Sequence, residues 1–138
     1  MQGDTLKKIV KTGIIIAAVI LIISIAGNVF IRSIEKNLSY LPEMEIKDPD
    51  LIQIPDGVYK GSYAAFPVIV DVSVTVKNHE ITDIEILKHQ NGQGKEGESI
   101  VNSVMQKQSL QVDAVSGATY SSIVILKAVE NALLKTNK

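Results

Sequence analysis

Residues 68–76 read Val-Ile-Val-Asp-Val-Ser-Val-Thr-Val. Valine takes every even position, with Ile69, Asp71, Ser73 and Thr75 between. Strict alternation of period two marks a β-strand with one buried face. Lys77-Asn78-His79 comes next as a turn, since asparagine tolerates a left-handed backbone. Ile81 to Leu87 predicts the returning strand, with Ile84 and Ile86 set against Asp83 and Glu85, so the pair reads as an antiparallel hairpin. Upstream, GVYKGSY (Gly57–Tyr63) predicts another short strand. Downstream of Gly97 the period changes. Ile100, Val101, Val104 and Met105 recur at helical spacing, which predicts a helix ending near Ser109. Val112 to Val115 is a short extended piece. Ser121 to Lys135 predicts a last helix that buries Ile125, Leu126, Val129, Ala132 and Leu133 and turns Lys127, Glu130, Asn131 and Lys135 to water. Strands followed by helices give an α+β fold: a small antiparallel sheet packed against two helices.

The N-terminal third is of another kind. Gly13 to Ile31 is 19 residues without a charge, close to the roughly 20 that carry a helix across the hydrocarbon core. Lys7, Lys8 and Lys11 flank it on one side, and Arg32, Glu35 and Lys36 on the other. The bias favours a cytoplasmic N-terminus and an exported body. The expected division is a cytoplasmic tail at 1–12, a transmembrane helix at 13–32, a linker at 33–56 and the folded domain at 57–138. A cleaved signal peptide, cut after Ser24-Ile25-Ala26, is the other reading of the same segment. Pro42, Pro49 and Pro55, scattered among acidic residues without periodicity, predict that 33–56 is an extended spacer.

Composition removes several kinds of chemistry. The chain of 138 residues has a formal net charge of −1 and no cysteine. Disulfides, cysteine-zinc sites, iron–sulfur clusters and thiol catalysis therefore fall away, and two histidines make a poor metal site. From Arg32 onward, eleven basic residues face fourteen acidic ones, a net of −3. That balance argues against a nucleic-acid partner, which needs a basic patch.

Two segments remain. His89-Gln90-Asn91-Gly92-Gln93-Gly94-Lys95-Glu96-Gly97 contains GxGxxG in form, but a dinucleotide site needs a parallel βαβ unit and these strands read as antiparallel. It reads instead as a glycine-rich connection, or as a loop that closes over a flat ligand. Asp113-Ala114-Val115-Ser116-Gly117-Ala118-Thr119-Tyr120-Ser121-Ser122 is a tight loop of small residues feeding a helix. Gly117 permits backbone conformations that other residues avoid. The helix N-terminus offers unpaired N–H groups and partial positive charge, which suits a phosphate. The plain alternative is ordinary capping by one hydroxyl. Ser116, His89 and Asp113 could be drawn as a hydrolytic set, without the strand–turn–helix elbow that such a nucleophile needs.

DAVSGATYSS resembles the flavinylation motif of the FMN-binding domain family, Asp-x-x-Ser/Thr-Gly-Ala-Thr/Ser, found also in flavin-carrying subunits of the Rnf complex and the sodium-pumping NADH:quinone oxidoreductase. GVYKGSY, the valine-rich hairpin, the HQNGQG loop, the helix ending in KQSLQVD and the helix SSIVILKAVENALL resemble the family in the same order. The resemblance implies covalent FMN, attached by a transferase that uses FAD, through a phosphoester of the phosphoprotein type on Thr119. It implies that Asp113, Ser116, Gly117 and Ala118 are read by the transferase or shape the phosphate pocket. Tyr120, Ser121, His89 and Gly92 are expected near the cofactor, with His89 and Tyr120 beside the isoalloxazine ring. No residue is expected to be catalytic in its own right and no metal is expected.

These expectations add up to a single-pass, membrane-anchored, extracytoplasmic flavoprotein that carries electrons. Its partners would be the transferase, a membrane donor linked to NADH or quinol, and an extracytoplasmic acceptor. A flavin-dependent extracytoplasmic reductase with its own small substrate, or a non-redox membrane scaffold, are the other classes.

Overall fold

The computed structural model describes residues 2–90 and 94–134. It divides into two compact units, Met1–Lys36 and Asn37–Lys138. Helix α1 (Gln2–Leu38) runs past both ends of the charge-free stretch. Along the charge-free stretch its apolar side chains are exposed: Ile15 and Ile22 are 62% and 64% accessible. A helix without a polar face and without a packed face is long and apolar enough to cross a membrane.

The second unit holds strands β1 (Gly57–Ala65), β2 (Val68–Lys77) and β3 (Glu80–Gln90), then α2 (Ile100–Lys107) and α3 (Thr119–Leu134). The sheet is antiparallel in the order β1-β2-β3, as the alternation in β2 requires. Val70, Val72, Val74 and Val76 are each fully buried against α3, which packs on β1 and β2. An antiparallel sheet also disposes of the dinucleotide reading of GxGxxG. The β2–β3 turn is two residues long, and Asn78 and His79 both take positive φ (52° and 64°). That is the hairpin turn whose twist matches the strands.

β3 departs from simple alternation. Its register against β2 slips twice, between Asp71 and Val72 and between Thr75 and Val76, leaving Thr82 and Leu87 as extra residues. Each bulge adds one residue and so reverses the parity of the strand beyond it. The residues that pair with the buried valines are therefore Ile81, Ile84, Ile86 and His89. Without the bulge at Leu87, His89 would face outward.

α3 is buried nearly all round. Glu130, expected in water, is 7% exposed. Its carboxylate accepts from Lys127 Nζ (2.8 and 2.9 Å) and from the Lys47 backbone N–H (3.1 Å), so the buried charge is paired and hydrogen-bonded. Gly61 on β1 lets α3 come so close that a Cβ there would land on the Ala128 carbonyl oxygen and the Ala132 nitrogen.

The expected spacer is the main correction. Residues 37–56 belong to the folded unit, and Leu38, Leu41 and Ile54 are 5%, 0% and 1% exposed. Asp48 accepts from Ser109 Oγ (2.6 Å) and the Leu110 N–H (2.7 Å). Gln111 donates to the Ile46 carbonyl (2.6 Å), and Lys127 to the Glu45 carbonyl (3.2 Å). Prolines remove periodicity without removing packing. Irregular chain folds down when each of its polar groups finds a specific partner.

Candidate functional site

The loop that feeds α3 turns at Val115, whose carbonyl accepts from Ala118 N–H (3.0 Å). Gly117 takes φ +80° there, with open space where a Cβ would be. A side chain at that φ would be strained. Ala118 opens the helix: its carbonyl accepts from Ser122 N–H (2.9 Å). Thr119 is the first helical residue and is exposed.

Alanine at the opening position is uncommon, because Ser, Thr, Asp and Asn are preferred there for a hydroxyl or carboxylate that accepts from the first-turn amides. The two serines farther along the first turn are both engaged elsewhere. Ser122 Oγ, fully buried, accepts from the Val115 N–H (3.0 Å). Ser121, 3% exposed, meets His89 Nε2 at 3.1 Å. Among the described residues, no side chain accepts from the backbone N–H groups of Thr119, Tyr120 or Ser121. The four-residue rule for helix ends leaves those amides without an intrahelical acceptor. The result is an uncapped, partly positive helix terminus beside an exposed hydroxyl.

His89 comes inward at the end of β3. Its side chain is 2% exposed, and Nδ1 lies 2.9 Å from Glu98 Oε1. Glu98 stands in the 3-10 turn Lys95–Ser99, brought against α3 by Gly97. A Cβ on Gly97 would fall 2.9 Å from Ser121 Cβ and 3.2 Å from Ser122 N. Three distant segments thus meet in the chain Glu98–His89–Ser121.

Asp113, Ser116 and Gly117 are exposed on the loop, Ala118 is buried, and Tyr120 is 38% exposed. Gly92 lies outside the described residues. The structure does not assemble Ser116, His89 and Asp113, since the ring nitrogens of His89 face Glu98 and Ser121. Glu98 is a residue that sequence reasoning misses. Its only signal is a carboxylate in the glycine-rich run after an inward histidine, and the bulge hides that direction.

A groove of about 300 Å³ opens beside the loop, lined by Pro42 and Met44, by Val112 and Ala114, and by Ile123 and Leu126. Thr119, Ile123 and Leu126 fall at i, i+4, i+7 and so share one stripe of α3. Beyond the groove, Tyr63 donates to Met44 Sδ (3.6 Å). Burial, then its hydrogen bond with Tyr40 and the charge on Glu130, push the Tyr63 phenol up to about 12. No cluster able to hold a metal occurs among the described residues.

The family model of the FMN-binding domain matches residues 68–134, from β2 to the end of α3. No curated protein and no solved structure matches the chain. The matched segment, 67 of the 138 residues, contains the uncapped helix terminus, Thr119 and His89, and over that length the chain is similar to the FMN-binding domain family.

Proposed function

We propose that the protein is a membrane-anchored, extracytoplasmic electron carrier whose FMN is joined through its phosphate to Thr119. One observation carries this reading. Thr119 is an exposed hydroxyl on the first turn of a helix whose amides have no capping side chain among the described residues, inside the segment that matches the FMN-binding domain. A phosphodiester there keeps one negative charge, and the terminus of α3 supplies N–H donors and a favourable dipole for it. The residues present therefore fit the group. Gly117 gives the loop its turn and leaves space beside the attachment point.

The attachment balances simply. The Thr119 oxygen bonds to the flavin-side phosphorus of FAD, the pyrophosphate bond breaks, AMP leaves, and the hydroxyl proton is lost. The flavin, once bound, supplies the redox chemistry by taking electrons from one partner and passing them to another. The groove lined by Met44, Ala114, Ile123 and Leu126 offers an apolar surface for a flat ring, at a rise of about 1.5 Å per residue along α3 from Thr119. Tyr120, beside the attachment residue, is open to solvent and available to the same group. Donors linked to NADH or quinol, an external acceptor and an FAD-using transferase are the partners this reading requires. A tether suits an exported carrier, since free flavin diffuses away.

Co-expression with such a transferase should add the mass of one FMN less one water and give a fluorescent band in a denaturing gel. Membranes with NADH or quinol should then reduce the bound flavin, and an added acceptor should reoxidise it. Flavin that is lost on denaturation would sink the covalent reading. Turnover of a small organic substrate by the isolated protein would replace the carrier with a reductase. Orientation has its own check. The cysteine-free chain carrying Ser39→Cys should label with an impermeant thiol reagent in intact cells, and labelling only after lysis would reverse the topology.

A further inference from the structure

We propose that the end of the folded unit carrying the β1–β2 turn is a lipid-contacting face, with Phe66 set into the boundary between headgroups and acyl chains. The occupant is the bilayer itself. The inference rests on the reading of α1 as a membrane anchor, and adds to it which end of the folded unit meets the lipid.

The turn supplies the first observation. Residues 61–70 read Gly-Ser-Tyr-Ala-Ala-Phe-Pro-Val-Ile-Val, without a charge, and Lys60 and Asp71 bracket them. They cover the end of β1, the turn Phe66-Pro67 and the start of β2. Phe66 is 56% exposed. A phenyl ring held out on a charge-free turn is poorly solvated by water and gains by entering an apolar medium.

The aromatic side chains supply the second. The folded unit has five: Tyr40, Tyr59, Tyr63, Phe66 and Tyr120. Four of them gather at this end. Tyr63 pairs with Val70 across the sheet, and Val70 with His89. Tyr40 is hydrogen-bonded to Tyr63. Tyr120 adjoins Ser121, which meets His89 at 3.1 Å. Tyr40 and Tyr120 are 44% and 38% exposed. Tyr59 is the exception; it pairs with Val74 and donates to the Pro55 carbonyl. Rings with a polar tip collect at headgroup level in membrane proteins, where one end is apolar and the other wet.

The path of the chain names the occupant. The folded unit begins at Asn37, its Leu38 is buried, and Tyr40 is bonded to Tyr63, so the chain arriving from α1 joins the unit at the aromatic end. Six residues, 32–37, separate the charge-free stretch from Leu38. Even fully extended they span roughly 20 Å, which keeps lipid within reach. The net charge of −3 from Arg32 onward gives no attraction to anionic lipid, so the contact is apolar and insensitive to salt. Thr119 opens α3 at this same end, and a group carried there lies near the bilayer surface, open to membrane-borne partners.

The test uses the full chain, unloaded, in phosphatidylcholine vesicles. The protein has no tryptophan, so Phe66→Trp, Tyr120→Trp and Ile52→Trp each add a single indole. All three positions are exposed, so the core is untouched. Ile52, 76% exposed, is the control: the neighbouring Leu51 carbonyl lies 3.4 Å from His79 Nδ1, at the opposite end of the sheet. Brominated acyl chains should quench Phe66→Trp several-fold more than Ile52→Trp, with Tyr120→Trp between them. Aqueous iodide should give the reverse order, and high salt should change neither. Any other ranking overturns the proposal. A Phe66→Trp indole shielded from iodide yet untouched by bromine would place a second copy of the chain on the turn, and overturns it too. A chain stripped from the vesicles by alkaline carbonate would instead sink the anchor reading, while the quenching measured before that wash would still decide this one.

Discussion

The two ends of α3 are built on opposite plans. From Ile123 to Leu133 the helix is closed on nearly every side, and even its buried charge, Glu130, is held by Lys127 and the Lys47 N–H. In the first turn, Thr119 and Tyr120 are exposed, and the neighbouring hydroxyls of Ser121 and Ser122 are turned into the interior. The closed end satisfies its polar groups internally. The open end turns two hydroxyls inward and leaves Thr119 and Tyr120 at the surface.

The difference can be broken at each end. Thr119→Ala should abolish covalent flavin completely while the melting temperature of the unloaded protein stays the same, because the side chain is exposed and caps nothing. Intact mass and a melting curve check both halves, and retained flavin would move the site elsewhere. At the closed end, Gly61→Val drives side-chain atoms into the backbone of α3. It should cost about 3 kcal/mol or more, the upper range for overpacking, read by denaturant titration. Glu130→Ala removes an acceptor from Lys127 and from the Lys47 N–H. It should cost about 2 kcal/mol, with loading on Thr119 preserved.

The smallest effect is on alkaline pH. The Tyr63 phenol rises from 10.0 to about 12 on folding, so folding favours its neutral form. That contribution is complete below pH 10 and is lost as pH climbs through about 12. Ultraviolet titration should find one tyrosine ionising after the others, and Tyr63→Phe should flatten the loss of stability between pH 10 and 12. All tyrosines titrating together would refute the assignment.

How much of this is legible in the sequence is best seen residue by residue. Val70, Val72, Val74 and Val76 announce their strand because one face is buried along the whole length of β2. The turn at Asn78-His79 is legible for the same local reason. Ile84 and Ile86 point inward as the alternation implies, but the bulges at Thr82 and Leu87 look in sequence like breaks in a pattern, so the inward turn of His89 is hidden. A charge on a helix usually lies in water, and Glu130 does not. Its partner at Lys47 is 83 residues away and nothing local points to it. Leu41 and Ile54 are lost among prolines. At the site, the run around Gly117 and Thr119 is legible because the helix start depends on neighbours in sequence. Glu98 and the groove are not, because both need segments brought together by the fold.

The two extra residues of β3 also bear on how this strand can change length. Deleting Leu87 or Thr82 would straighten the strand and leave Ile81, Ile84, Ile86 and His89 facing as they do now. Deleting Glu85, between the bulges, would reverse the frame of one flank and turn its apolar side chains to water. Insertions and deletions among natural variants of this domain should therefore collect at the bulges and spare the stretch between them. The spacing from β3 to the loop before α3 should vary while the inward histidine keeps its partner.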